Sequence, residues 1–512
     1  MDGRHSDHRC RQDTTSVRPM GKKKRRKANA RSHNQVVVAQ SAALPERSSI
    51  NPPGQRYYDM PYSAATPRLT NPDLGLHHLV ARAGHNAAYE ISVTLLDAPD
   101  HRLIRSGVLL AHRVLDGRGE WYITAPDWQP LLPQDRIELM GHADLPEELA
   151  DMIRPLRRRA TLGPVAALTC DRREFALRDN EETALALLRD DRVTVRRGGL
   201  TTARYREVLI TPLGPGLNDE QAAWMDRSLV QVGATQVPRF PQLVSRLGAP
   251  ATGPTDLPVP GPFDASASFK KFVSQLVALR LRQIVEADLA IRGGDLTAVD
   301  RLAEQAARLR EELKGLSVVL DPDWVEDLYD ELGWISLEAS SPNAQEHDRL
   351  TARLRSERYL TVLERLVGAV RSPKLADQRS DPAGEVLAGL VSMAVTRMRR
   401  CTDHLSVDSL DEEWEEAWQE MGRLEWVVGV ASQVLPEESA TIQQHLLKPR
   451  QLLSEIHNDH HREQATYERV ATLSPEQAFA AGRDFERETR RSHHARREFA
   501  ESWAKTKKKL GA

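Results

Sequence analysis

The stretch DPDWVEDLYDELGWISLEASSPNAQEHDRL, Asp321 to Leu350, decides the fold class. Its acidic and aromatic residues from Trp324 through Trp334 recur with helical period and predict a helix over 322–337. Ser341 and Pro342 interrupt the period, which resumes over 345–371. The same period fills everything after Phe269, giving further candidate helices at 269–291, 295–315, 383–404, 410–434, 439–467 and 475–508. Ser474, Pro475 and Gln477 form a capping-box start for the last of them. Charged faces that suit water alternate with Leu, Val and Trp stripes that suit a core, and the short breaks between helices predict two packed four-helix bundles.

Upstream the pattern changes. Between Tyr57 and Leu247 the runs YEISVTLL, GVLLAHRVL, EWYITA and YREVLITPL are β-type and predict an α+β region. Helices fit LPEELADMIRPLRR, with Pro146 in its first turn, and DEQAAWMDRSLVQVG, with Asn218 as cap and Gly233 as stop. A Pro- and Gly-dense stretch, 248–268, reads as a semi-rigid linker. The predicted organisation is a tail over 1–50, a strand-rich domain over 51–247, the linker, and a helical domain over 269–512.

At 512 residues the chain suits two or three domains. Charged residues make up 28% and no apolar run nears the length of a membrane span, so no membrane association is expected. Residues 1–31 carry 11 Lys and Arg against 3 Asp, and with a net charge of −2 the rest of the chain is acidic. That tail has almost no periodic apolar residues, so it is expected to be disordered; Met1 and Met20 are both candidate starts. Without a secretory apolar segment, a bacterial cytoplasmic location is the expectation. Cys10, Cys170 and Cys401 lack any CxxC spacing and read as incidental thiols.

The helical half resembles a CHAD domain, the helical polyphosphate-associated module. The helix from Trp324 to Trp334 is similar to the family's first long hairpin, and LKPRQLLSEIHND, Leu446 to Asp459, to its late turn, with Ser454 for Gly. Residues 57–247 resemble a CYTH domain, the triphosphate-tunnel antiparallel β-barrel often fused to CHAD. The likeness there rests on VTLLDAPDHRLIRSGVLLAHR, Val93 to Arg113, and GPVAALTCDRREFALRD, Gly163 to Asp179. The expected fold is therefore an α+β CYTH-like antiparallel barrel followed by an all-α CHAD-like domain.

The resemblance implies sites whose charges this chain keeps only in part. A triphosphate tunnel needs inward Lys and Arg for phosphate and inward carboxylates for divalent metal. Asp97, Pro99 and Asp100 are kept, but Ala111 replaces the first Arg of LRxR and only Arg113 remains. Thr124 stands for a Lys, Asp171 for an Arg beside the retained Arg172, and Gln242 lies near the terminal Lys position. Glu207 survives from a Glu-x-Glu-x-Glu strand, with Leu209 and Thr211 in the other places, and the opening ExExK is reduced to Glu90. In the helical half the resemblance implies a basic groove. Asp300 and Ala303 replace its His and Arg while Arg308 and Arg310 remain. Glu415 and Trp418 occupy the second His and Arg positions, and Arg423, Leu424, Glu425 and Trp426 stand for Arg-Leu-Arg-Tyr. Asn343, Ala344 and Glu346 replace an Arg, Asp and Asp.

The candidate phosphate- or anion-binding residues are thus Arg113, Arg172, Arg308, Arg310, Arg423 and Lys448, with Asp97, Asp100 and Glu207 as residual tunnel acids. No catalytic residue is assigned. The functional expectation is a non-catalytic protein associated with polyphosphate or another polyanion. The basic runs Lys22–Lys27 and Lys505–Lys509 add non-specific nucleic-acid contact. One alternative is an interaction scaffold offering the acidic, Trp-bearing helix over 410–426 to a basic partner. Another is a residual triphosphatase using Glu90, Asp97, Asp100 and Glu207, the one reading that calls for Mg²⁺ or Mn²⁺ as cofactor. His457 and His461, at i, i+4, form a candidate metal pair outside any HExxH motif. Walker, GxGxxG and GxSxG motifs are missing from the sequence.

Overall fold

Period-two alternation between Arg56 and Val237 yields ten strands among the described residues. They are β1 (Arg56–Met60), β2 (His78–Ala81), β3 (Ala88–Asp97), β4 (Leu109–Leu115), β5 (Arg118–Thr124), β6 (Arg136–Leu139), β7 (Gly163–Arg178), β8 (Ala184–Arg197), β9 (Leu200–Pro212) and β10 (Thr235–Val237). The computed structural model describes residues 54–510 except 66, 83–87, 116, 134–135, 140–143, 340–343, 377–379 and 471. The tail over 1–50, with Met20, Cys10 and the Lys22–Lys27 run, lies outside the described residues, as does Asn343.

The strands form one antiparallel sheet in the order β10-β1-β9-β8-β7-β3-β4-β5-β6, with β2 on β7. It is barrel-like but does not close, because the ladder among the described residues ends at the short strands β10 and β6. The long strands β7, β8 and β9 make its centre. It is attended by α1 (Arg102–Arg105), α2 (Glu147–Met152), α3 (Arg154–Arg157), α4 (Asp219–Gln231) and α5 (Leu243–Leu247). Asn218 and Gln221 cap α4 reciprocally, and Gly233 follows it with φ +89, a conformation open to glycine. Met225 and Leu229 of α4 pack on Tyr58, Met60, Val208 and Ile210, while Leu243 and Leu247 of α5 pack with Val193 and Tyr205.

The helical half contains α6 (Phe269–Arg292), α7 (Ala298–Gly315), α8 (Pro322–Ala339), α9 (Ala344–Leu354), α10 (Glu357–Arg371), α11 (Ala383–Thr402), α12 (Asp411–Ala431), α13 (Pro436–Val470) and α14 (Pro475–Lys509). Where one helix is expected over 345–371, two form, because the Ser356 hydroxyl accepts from the Tyr359 N–H and starts α10 afresh. The Ser474 capping box starts α14 as expected. Helices α6, α7, α8 and α10 pack together, α11 to α14 pack in sequence, and α7 against α12 joins the groups. No described helix is long and apolar enough to cross a membrane.

An N-terminal antiparallel sheet followed by a helical region is the order expected of a CYTH–CHAD fusion. The two halves pack directly on one another. Trp121, Ile123, Trp128, Leu149 and Leu156 share one core with Phe269, Phe272 and Leu276 of α6. Within the 248–268 stretch, Ala251, Asp256 and Leu257 are buried.

Candidate functional site

The ladder register places Arg172 on β7 opposite Asp191 on β8, and Asp191 opposite Glu207 on β9. Alternation then sends Arg172, Arg189, Asp191 and Glu207 to one face. All four are buried, with Asp191 and Glu207 at 0% exposure. Asp191 bridges two guanidiniums: Arg172 donates through Nε at 2.7 Å and Nη2 at 2.9 Å, and Arg189 Nε lies 3.1 Å away. Arg246 of α5 lies over the Tyr205 ring and reaches Asp59 at 3.0 Å and Glu207 at 3.5 Å. Burial lowers the Arg189 pKa and raises that of the Cys170 thiol beside this row.

Arg113 shares this face but stands in a different row. Its row runs through Val93 to Leu168, four residues along β7 from Arg172. It is half of a buried cross-strand ion pair with Glu120, its direct register partner, and lies over the Tyr122 ring. On this face, therefore, cations are matched by carboxylates from the same fold.

The tunnel acids separate. Asp97 is fully buried and accepts from the N–H groups of Ala98, Leu103 and Ile104 at 2.7, 3.0 and 2.9 Å, fixing the turn into α1. Burial, more than these bonds, sets its pKa and raises it. Asp100 is partly exposed and pairs with Arg102 and Arg105. Burial pushes its pKa up, but the two arginines outweigh that and hold it low. Glu90 pairs in register with Asp171, which puts it on the opposite face from Glu207. The structure does not bring these four carboxylates together. Asp191, which does adjoin Glu207, is bracketed by arginines, so this donor set does not fit a divalent metal site.

In the helical half an open cleft of about 450 Å³ lies between α7, α12 and α13, lined by Lys314, Trp418, Arg423, Glu425, Trp426 and Arg450. Arg423 pairs with Glu420, and Arg450 with Glu425 at 3.0 Å. Burial raises the Glu425 pKa against the pull of Arg450. Next to the cleft, Arg310 and Lys314, one turn apart on α7, cover the Tyr329 ring at 3.8 and 4.3 Å. Arg308 points away, exposed and paired with Glu304 at 2.5 Å. Lys448 is exposed and faces Glu498 of α14 at 4.0 Å. Of the expected cations, the structure gathers Arg310 and Arg423 near this cleft and leaves Arg308 and Lys448 outside it. Lys314 and Arg450 are additional. Lys314 follows Arg310 at i+4, a spacing that places both on one side of α7.

The acidic helix is α12. Trp414 is buried edge-on against Phe499, Trp418 is partly buried against His457, and Trp426 lines the cleft. Its acids Asp411, Glu412, Glu415 and Glu416 line a second hollow with His460 and His461.

No family model matches the chain, and no curated protein matches it. Among solved structures it is similar to PptA from Streptomyces chartreusis, at 16% identity over 47% of this chain and 100% of that one, with a TM-score of 0.36. It is also similar to the CHAD domain from the plant Ricinus communis, at 16% identity, 45% and 88% coverage and a TM-score of 0.31. A third is a candidate adenylyl cyclase from Hippeastrum with a dominant triphosphatase activity, at 9% identity, 39% and 98% coverage and a TM-score of 0.20. At such values the likenesses say nothing of activity.

Proposed function

We propose that this chain is a non-catalytic protein of the CYTH–CHAD kind that associates with polyphosphate or another polyanion. Its basic runs Lys22–Lys27 and Lys505–Lys509 supply most of the attraction, and the α7–α12–α13 cleft a smaller share. The observation that carries the reading is a contrast in charge. Arg113 and Arg172 on the sheet are buried against Glu120 and Asp191, whereas Arg423 and Arg450, although paired with Glu420 and Glu425, stay exposed beside Lys314 on an open cleft. A polyanion binds by displacing counterions from accessible cations, so buried, matched arginines offer it little.

The test is binding of labelled long-chain polyphosphate to the full chain at low and physiological salt, beside phosphate release from triphosphate with Mg²⁺ or Mn²⁺. Changing the lysines and arginines of both runs to Gln is expected to remove most of the salt-sensitive binding. K314Q with R423Q is expected to remove a smaller part. Metal-stimulated phosphate release, or full binding by the tail-neutralised chain, would overturn the reading.

A further inference from the structure

His457 and His461 of α13 and Glu415 of α12 place one ligand atom each within 4.8 Å of the others. The arrangement follows from the sequence in two steps. Spacing i, i+4 sets both imidazoles on one side of α13, and the packing of α12 on α13 brings Glu415 to them. The rings stand edge-to-face at 4.4 Å. His457 is held on three sides: its ring is stacked on Trp418 at 3.7 Å with 2° between planes, its Nδ1 lies 2.6 Å from the Glu415 carboxylate, and its body is largely buried. Gln419 also donates to Glu415. The Trp418 stack on His457 and the Gln419 bond to Glu415 orient these two groups before an ion arrives, and an ion held by both would take the place of the hydrogen bond between them.

We infer that Glu415, His457 and His461 form a binding site for a divalent ion of the zinc class, bridging α12 and α13. Two imidazoles and a carboxylate are a donor set that zinc takes with a water or a further ligand in the fourth position. Magnesium and calcium, which favour oxygen donors throughout, fit it poorly. His461 is exposed, and the hollow beside it is open and lined by Asp411, Glu412 and Glu416, so an ion has an entry path through a negative field. The acidity of α12, which opposes a polyanion, here favours a cation. This site adjoins the α7–α12–α13 cleft through Trp418 but shares none of its cations, and neither reading depends on the other.

The test uses the full chain, stripped of metal with a chelator and titrated with Zn²⁺ by calorimetry and with Co²⁺ by visible absorption. One tight ion per chain is expected, with a rise in the thermal midpoint and quenching or shift of Trp fluorescence through Trp418. H461N, at an exposed position that leaves packing intact, and H457N are each expected to weaken binding by about tenfold or more. E415Q should weaken it while keeping its size and its contact with Gln419. H493N with H494N, on α14, should leave affinity unchanged. No binding by the folded wild-type chain overturns the inference. So does unchanged affinity and stoichiometry in H461N with circular dichroism intact, since the ion would then sit on other histidines.

Discussion

Asp191 is a fully buried carboxylate that holds two guanidiniums. Arg172 and Arg189 both lean on it in a place closed to water. Taking one partner out of such a group costs more than the group contributes when intact, because desolvated charge of one sign is left in excess. Asp191→Asn keeps shape and some hydrogen bonding but removes the charge. It is expected to cost about 3 kcal/mol, read as a lower urea midpoint with an unchanged slope. A loss below about 0.5 kcal/mol, the usual range for a surface site, would mean that the arginines find other anions and that this row is not a closed charge network. Arg172 and Glu207 are legible in the sequence through their likeness to tunnel positions. Asp191 and Arg189 are not. In LRDDRVTV, alternation separates Arg189 and Asp191 from Asp190 and Arg192, yet either pair could face inward until the partner strands are known. The structure in fact buries Asp190 too, on the other face, against Arg206.

Helices show the same limit one level up. Most of their centres in the helical half follow from period, and the Ser474 and Asn218 caps from local chemistry. The restart at Ser356 escapes because apolar period continues across it. Helix packing leaves a second trace that no single stretch of sequence exposes: Gly315 ends α7 against the backbone of α12. A Cβ there would meet the Trp426 carbonyl carbon and oxygen at 3.0 Å and the Val427 nitrogen at 3.1 Å. These are backbone atoms of a helix and do not swing aside. Gly→Ala in an open helical position gains up to about 1 kcal/mol in propensity. At Gly315 the overlap outweighs it, and Gly315→Ala is expected to destabilise by about 1 to 3 kcal/mol. Gly389→Ala on α11, where nothing lies within 4 Å, is the matched control and should be neutral or mildly stabilising. Equal effects at the two sites, measured by thermal unfolding, would show that α7 and α12 have room to part.

At the scale of the molecule, the question is what holds a sheet and a helical array as one body. Composition reads 248–268 as a spacer, since Pro and Gly dominate it and pairing partners cannot be seen from within the stretch. Its one deeply buried charge, Asp256, is instead the meeting point of three arginines. Arg105 and Arg158 come from the sheet half, and Arg371 from α10. Arg102 to Glu364 at 2.7 Å and Arg292 to Asp151 at 2.8 Å add ties across the same seam. Burial alone would raise the Asp256 pKa, but Arg158 first and then Arg371 outweigh it and hold it below the ordinary value. The sign follows from linkage. A carboxyl with a depressed folded pKa contributes stability in full above its unfolded pKa of about 3.9, and loses it as pH falls through the lower folded value. Asp256→Asn should therefore cost about 3 kcal/mol at pH 7, by a gap from wild type that stays flat from pH 8 to 6 and closes below about pH 4. Because Asp256 joins halves that also share an apolar core around Trp128 and Phe272, the variant should still unfold in one calorimetric transition. Two separated transitions at pH 7 would instead assign the coupling of the halves to this ion cluster and leave the shared core a minor part in it.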